Sequence, residues 1–121
     1  MGFKDLKEWL SRLRELSESY PVLVEGKNDV RALKRYGVHN VIPLSGKRFA
    51  DIPDLLEYTS EGAILLYDLD PHGERINSKV RELLSSQGFK VIEDFREYLR
   101  EAGIIHIEEL AEVRHGKTEG S

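Results

Sequence analysis

The stretch AILLYDLD, residues 63–70, decides which fold this chain adopts. Its first five residues form the longest apolar run in the sequence, and such a run is typical of a strand buried on both faces of a parallel sheet. Asp68 and Asp70 follow at the point where that strand is expected to end. Apolar residues then recur at helical spacing over residues 76–84, before Gly88. The segment therefore predicts a buried strand, an acidic turn and a helix.

Three other segments have the β-branched and apolar residues expected of short strands. They are residues 22–24, residues 41–44 and residues 89–92. Pro43 cannot donate a main-chain hydrogen bond, so the second of these strands is predicted to lie at an edge of the sheet or to end early.

Helical periodicity fills the segments around these strands. Leucines at three- and four-residue spacing predict a first helix at about residues 3–18. We expect Asn28 to cap a second helix that Gly37 closes, a short third helix over residues 52–56, and one or two helices over residues 94–113. This alternation predicts a compact α/β, Rossmann-like fold with a parallel sheet of about four strands flanked by helices on both faces.

A chain of 121 residues has the size of one domain. We expect residues 1–19 to form an N-terminal amphipathic helix packed on that domain, and residues 20–113 to form the domain itself. The polar residues 114–121 are predicted to be a flexible tail.

The composition narrows the chemistry. The chain has no cysteine, which excludes disulfides, thiolate catalysis and Cys-based metal sites. The chain has 18 Lys and Arg residues and 22 Asp and Glu residues, so its net charge is −4. Nucleic-acid binding would therefore have to be local or assisted by a metal ion. No apolar run could span a bilayer and no apolar signal segment is visible, so we expect a cytoplasmic protein without membrane partners.

The acidic residues at strand ends are the candidates for chemistry, because ligands bind beyond the carboxyl ends of strands in open parallel sheets. Glu25 follows the first predicted strand, and Asp68 and Asp70 follow the third. Carboxylates two residues apart point the same way, so the two aspartates can share a hard cation. Mg²⁺ suits such a pair, with Mn²⁺ as the alternative ion, because it completes its coordination with water and substrate phosphate.

Basic residues near the same strand ends are candidates for binding phosphate groups that the metal ion does not reach. They are Lys27, Lys47, Arg48 and Arg75. The alternative interpretation is that each is an ordinary surface cation.

Two other kinds of residue near the acids give weaker signals. Glu74 lies in the first turn of a predicted helix, where the helix dipole favours an acid, so a structural role competes with metal binding. The histidines show no metal-ligand spacing and are predicted to be surface residues; they are His39, His72, His106 and His115.

Two motifs together resemble the Toprim domain, which is shared by type IA and type II topoisomerases, bacterial primases, OLD-family nucleases and the 5S ribosomal RNA maturases. The family has a glutamate after its first strand and a DxD after its third. Here these motifs are VEGKND, residues 24–29, and YDLDPHGERI, residues 67–76. The resemblance covers roughly residues 20–95, and the second motif looks most like that of small stand-alone and maturase-like Toprim proteins.

The resemblance implies a role for each matching residue. Glu25 matches the family's general acid/base or metal-binding glutamate, and Asp68 and Asp70 match its Mg²⁺ ligands. We therefore expect a magnesium-dependent protein acting on phosphodiester bonds of RNA or DNA, most simply a nuclease, with a nucleotidyl-transfer enzyme as the other reaction type. The alternative is a catalytically silent module that docks nucleic acid, a protein or a ribonucleoprotein, which the small size and negative charge favour. The intact set of three acids favours the enzyme.

Two other enzyme classes also place aspartates at strand ends. Phosphatases with an aspartyl nucleophile carry their DxD after the first strand, whereas this DxD follows the third and precedes Pro71 and His72. Receiver domains have an aspartate after the third strand and acids after the first, which Asp68 and Glu25 could imitate. They also need a lysine after a fifth strand, and no clear fifth strand is visible.

Overall fold

The computed structural model describes residues 2–56 and 60–110. Helices and strands alternate along these residues, as the sequence pattern predicts. In chain order they are α1 (Leu6–Leu16), β1 (Val22–Val24), α2 (Lys27–Lys34), β2 (Val41–Pro43), α3 (Asp51–Leu56), β3 (Gly62–Leu65), α4 (Pro71–Ser86), β4 (Lys90–Ile92) and α5 (Asp94–Ala102). The expected tail, residues 114–121, lies outside the described residues.

The four strands form one parallel sheet in the order β2-β1-β3-β4. Val22 pairs with Val41 on one side and with Ile64 on the other, so β1 is an inner strand. β2 is an edge strand that ends at Pro43, which confirms the edge position predicted from this proline. The chain moves from β1 to one side of the sheet and later from β3 to the other, so the topological switch point lies between β1 and β3.

Helices cover both faces of the sheet, which confirms the predicted α/β class. On one face, Val22, Val24 and Ile64 pack against buried side chains of α1, α2 and α5. On the other face, Leu23 and Leu65 pack against α3 and α4. Side chains of neighbouring strand residues alternate between these two clusters, as the pleat of a strand requires.

Trp9 anchors α1 to α5, a contact that the predicted leucine stripe leaves out. Its side chain is fully buried, and its indole N–H donates a 2.9 Å hydrogen bond to the main-chain oxygen of Phe95. Its ring also meets the Phe95 ring edge to face at 5.9 Å. Because Trp9 lies four residues before the buried Leu13, the two share one helical face.

The start of α2 differs from the prediction. The N-cap is Gly26, and Asn28 already lies inside the helix. The carboxylate of Asp29 accepts a hydrogen bond of 3.2 Å from the Gly26 N–H, so an acid three residues into the helix fixes its beginning. The helix therefore starts directly behind Glu25.

Within the described part of the chain, no helix has the length and apolar character needed to cross a membrane.

Candidate metal centre

The topology brings the first and second motifs together. Glu25 follows β1 and Asp68 lies just beyond β3, and these two strands are hydrogen-bonded neighbours at the switch point of the sheet. Both residues line a groove of about 510 Å³ that also includes Lys27, Asp29 and His106. This is the position where open α/β sheets bind their ligands.

Asp68 accepts hydrogen bonds on both its carboxylate and its main-chain carbonyl group. Oδ1 of the carboxylate accepts a 2.9 Å hydrogen bond from the N–H of Ile107. The main-chain oxygen accepts one of 2.7 Å from Arg96, whose Nε atom also donates to the main-chain oxygen of Tyr67. These bonds hold the chain just beyond β3, where Asp68 lines the groove.

Asp70 is the N-cap of α4. Its Oδ1 atom accepts a 2.7 Å hydrogen bond from the N–H of Gly73, which orients the carboxylate. A Cβ atom at position 73 would overlap the main-chain oxygen of Asp68, so only glycine lets the helix approach the strand end this closely. The spacing Asp70-Pro71-His72-Gly73 is therefore part of the architecture of the site.

His106 completes a group of three potential ligands. Its Nδ1 atom lies 3.4 Å from Oδ2 of Asp68 and 3.6 Å from Oδ2 of Asp70. One ligand atom from each residue lies within 4.8 Å of the others. The hydrogen bond to Asp68 raises the pKa of His106. His106 is exposed, as predicted for a surface residue, and its half-exposed ring also lies beside both aspartates, which the sequence pattern does not signal.

The segment after α5 carries His106 to the site. The N–H of Leu69 donates a 2.7 Å hydrogen bond to the main-chain oxygen of Ile105, and the side chain of Ile107 is fully buried. These contacts hold residues 105–107 alongside the DxD turn. No local sequence pattern signals this approach, because it depends on packing between distant parts of the chain.

Glu25 carries an unsatisfied oxygen at the same site. Its Oε1 atom is buried and has no hydrogen-bond partner among the residues that the structure describes. Burial, and next the negative charge of Asp68, raise the pKa of this carboxyl. A buried acceptor without a donor fits a site completed by a ligand with positive charge.

Asp29 adds a further acid that sequence reasoning did not single out as a site residue. Its side chain is 5% exposed, and burial together with the charge of Asp68 raises its pKa to about 6. The accumulated negative charge, the orphaned oxygen of Glu25 and the Asp-Asp-His donor set fit a divalent cation.

The four predicted phosphate-binding residues occupy different positions. Lys27 lines the groove beside Glu25, whereas Lys47 and Arg48 lie in the loop after β2. Arg48 forms an exposed ion pair with Asp51, at 3.3 Å. Arg75 is exposed on α4 and lines a second groove. The structure thus brings Lys27 to the acids directly and leaves Arg75 further along α4.

Glu74 has structural contacts. Oε1 lies 2.8 Å from the buried guanidinium of Arg96, and Oε2 lies 2.6 Å from that of Arg100. Hydrogen bonds from Arg100, and then from Arg96, lower the pKa of Glu74 to about 2. Since Arg96 also holds the main chain of Asp68, Glu74 supports the site through Arg96, which agrees with the structural interpretation of this acid.

Comparison with known proteins gives an independent view of the chain. Residues 21–97 match the Toprim domain. UPF0292 protein MJ1624 of Methanocaldococcus jannaschii is 30% identical over 91 residues, which are 74% of this chain and 71% of that protein. UPF0292 protein PF1724 of Pyrococcus furiosus is 31% identical over 84 residues, which are 69% of this chain and 62% of that protein.

A solved structure of a protein from Aquifex aeolicus has the same fold, with a TM-score of 0.86 and 56% sequence identity. The likeness covers 88% of this chain and 99% of that one. The family match spans both acidic motifs and all four strands of the sheet. The chain therefore belongs to the Toprim domain family, whose domains bind divalent metal ions and are associated with nucleic acids.

Proposed function

We propose that this protein is a metal-dependent nuclease that hydrolyses phosphodiester bonds of RNA or DNA. The observation that carries the proposal is that four side chains with ligand or base atoms lie near the carboxyl ends of β1 and β3. Oδ2 of Asp68, Oδ2 of Asp70 and Nδ1 of His106 lie close together, and Glu25 lines the same groove as Asp68 and His106. The buried Oε1 atom of Glu25 has no hydrogen-bond partner among the described residues. A purely structural cluster of acids at this position would be expected to carry partners for each oxygen.

Asp68, Asp70 and His106 are the residues that would hold the cation, because each offers an atom facing the other two. When bound, a divalent cation would supply Lewis-acid polarisation of a phosphoryl oxygen and positive charge for the leaving oxygen. Mg²⁺ accepts the two carboxylates readily, and the imidazole nitrogen favours Mn²⁺ relative to a site made of oxygen alone. Mg²⁺ and Mn²⁺ are therefore the ions to test.

Glu25 would act as the general base. The pKa of Glu25 is raised toward neutral pH, which makes its carboxylate a stronger base than an ordinary glutamate. In hydrolysis a water molecule attacks phosphorus, the bond between phosphorus and the leaving oxygen breaks, and Glu25 takes the proton lost by the water. The leaving oxygen gains a proton from solvent.

Lys27 is the best placed cation to bind a phosphate group near the acids, since it shares their groove. Lys47 and Arg48 would act from the neighbouring loop after β2, and Arg48 would have to leave Asp51 to do so. These contacts would orient the strand, while the acids carry the chemistry.

Incubation with structured RNAs and with single- and double-stranded DNAs, with Mg²⁺, with Mn²⁺ or with EDTA, tests the proposal. We expect cleavage only with a divalent ion, and its loss in an Asp68→Asn, Asp70→Asn double variant. Wild-type protein that binds these nucleic acids but cuts none of them with either ion would contradict the nuclease and favour the silent docking module.

A further inference from the structure

A second groove begins beside the metal centre and runs along α4. We call it the α4 groove, and its volume is about 660 Å³. Its lining includes Phe49, His72, Glu74, Arg75, Lys79 and Glu82. Only Pro71 separates His72 from Asp70, so one end of the α4 groove adjoins the DxD turn. A ligand bound at the His72 end of this groove would lie near the DxD turn.

Two cations in the α4 groove are available for an anionic ligand. Arg75 and Lys79 are exposed, and neither has a carboxylate within ion-pair distance in residues 2–56 and 60–110. Spaced one turn apart, they lie about 6 Å from each other along the helix axis. Such spacing suits successive phosphate groups of one strand.

The acids in the same groove do not cancel these charges. Glu74 is neutralised by Arg96 and Arg100, and Glu82 lies near the far end of the groove from His72. By contrast, Arg81, on another side of α4, is occupied by Glu93 at 2.9 Å. The positive charge that remains free on α4 is therefore concentrated between the DxD turn and Lys79.

Phe49 adds an aromatic surface to the α4 groove. Its ring is half-buried and packs against the core cluster that contains Ile76 and Val80. The Lys79 ammonium lies 4.8 Å from the ring centroid, on a flexible side chain that can turn from the ring to a phosphate. An aromatic ring beside unpaired cations is the combination with which proteins bind single strands, whose base faces are accessible.

We propose that the α4 groove binds a single-stranded nucleic-acid segment adjoining the cleavage site, with Arg75 and Lys79 on phosphates and Phe49 stacked on a base. The inference rests on the proposed function, because it treats the strand in the groove as part of the substrate. Paired bases in a duplex would not reach Phe49, so the groove selects for single strands.

Fluorescence anisotropy of a labelled single-stranded 12-mer, oligo(dT) or oligo(U), at several salt concentrations in EDTA tests this. For Arg75→Ala and Lys79→Ala we expect weaker binding, with the slope of log K against log salt smaller in magnitude by about 0.7 each. Phe49→Leu should weaken binding by about tenfold and leave that slope unchanged. Arg12→Ala, an exposed cation on α1 at the opposite face of the sheet, is the control and should match wild type.

Three outcomes would overturn the inference: no single-strand binding by wild type at low salt, wild-type slopes in both cation variants, or tighter binding of a duplex than of the single strand. Arg75 and Lys79 are both exposed, and neither forms an ion pair within residues 2–56 and 60–110, so both variants should fold and keep the test decisive. The Asp68→Asn, Asp70→Asn variant should still bind the strand in EDTA. If the single strand binds in the α4 groove but no metal-dependent cleavage occurs, the proposed nuclease activity is contradicted and the groove inference stands.

Discussion

Arg96 donates a 2.7 Å hydrogen bond to the main-chain oxygen of Asp68, and so ties α5 to the residue at the centre of the acidic site. The Arg96 side chain is 3% exposed, and its remaining contacts are the main-chain oxygen of Tyr67 and the carboxylate of Glu74. Tyr67 and Asp68 lie just beyond β3, and Glu74 lies on α4, so this buried cation supports the strand end and links it to the following helix.

Replacing Arg96 with Met should therefore destabilise the protein much more than replacing Arg100 with Met. Arg96→Met leaves one buried and one partly buried carbonyl oxygen without their donor, and we expect a loss of about 2–4 kcal/mol in the free energy of unfolding. Arg100 contacts the same Glu74 from the surface, so its loss should cost below about 1 kcal/mol. Urea unfolding at pH 7 measures both, and equal losses would contradict the supporting role of Arg96.

The two functions of Asp70, capping α4 and carrying charge at the site, can be separated by two substitutions. Asp70→Asn retains an acceptor for the Gly73 N–H and removes one of several close negative charges, so in EDTA its melting temperature should equal or exceed that of wild type. Asp70→Ala removes the cap and should cost about 1 kcal/mol relative to Asp70→Asn. A large loss of stability in the Asn variant would show that the carboxylate charge itself is structural.

Asp29 should make stability fall as the pH rises. Its pKa is about 6 in the folded protein and 3.8 in its ordinary state, so the folded protein holds this proton more tightly than the unfolded chain. Between about pH 4 and pH 6 the unfolded chain loses the proton first, and above that range the folded state keeps a constant penalty of about 3 kcal/mol.

Asp29→Asn removes that penalty and keeps an oxygen for the Gly26 N–H. In EDTA its advantage in unfolding free energy over wild type should be near zero at about pH 4 and reach its full value by about pH 7. The exposed Asp54→Asn is the control, with no such trend expected. An advantage that did not change over this pH range would contradict the raised pKa.

Glu25→Gln tests the proposed base. If Glu25 accepts a proton during hydrolysis, turnover should fall by about 10²–10⁴-fold while nucleic-acid affinity changes little. Glu108→Gln is a matched control, because Glu108 lines the same groove but is exposed, and it should change turnover less than Glu25→Gln does. Equal cleavage by wild type and Glu25→Gln would remove Glu25 from the mechanism.

The sheet and the strand-end acids could be predicted from sequence because local patterns encode them. Buried apolar runs such as residues 22–24 identify the inner strands, and Pro43 identifies an edge. Parallel strands then bring Glu25 and Asp68 to the same side. The burial of Trp9 is also predictable, because it lies four residues before Leu13 on the same helical face, but a pattern that counts only leucines does not include it.

The remainder of the site depends on contacts between segments far apart in the sequence. His106 reaches Asp68 only because Leu69 bonds to Ile105 and Ile107 is buried, and neither contact leaves a periodic signal. Arg96 looks like any charged helical residue until the fold buries it. The sequence predicts Asn28 as the N-cap of α2 because its side chain can cap a helix, whereas the N-cap is Gly26 and Asp29 fixes this turn from inside the helix.

Titration of the metal-free protein with Mn²⁺ and Mg²⁺, followed by calorimetry, tests the central claim most directly. Wild type should bind one or more ions, and the Asp68→Asn, Asp70→Asn double variant should lose that binding. His106→Ala should weaken Mn²⁺ binding more than Mg²⁺ binding, because imidazole favours the transition metal. An Asp54→Asn, Glu61→Gln variant, which removes two exposed acids elsewhere, should bind as wild type does. Equal binding by wild type and the Asp68→Asn, Asp70→Asn variant would contradict the claim that these aspartates form the metal centre.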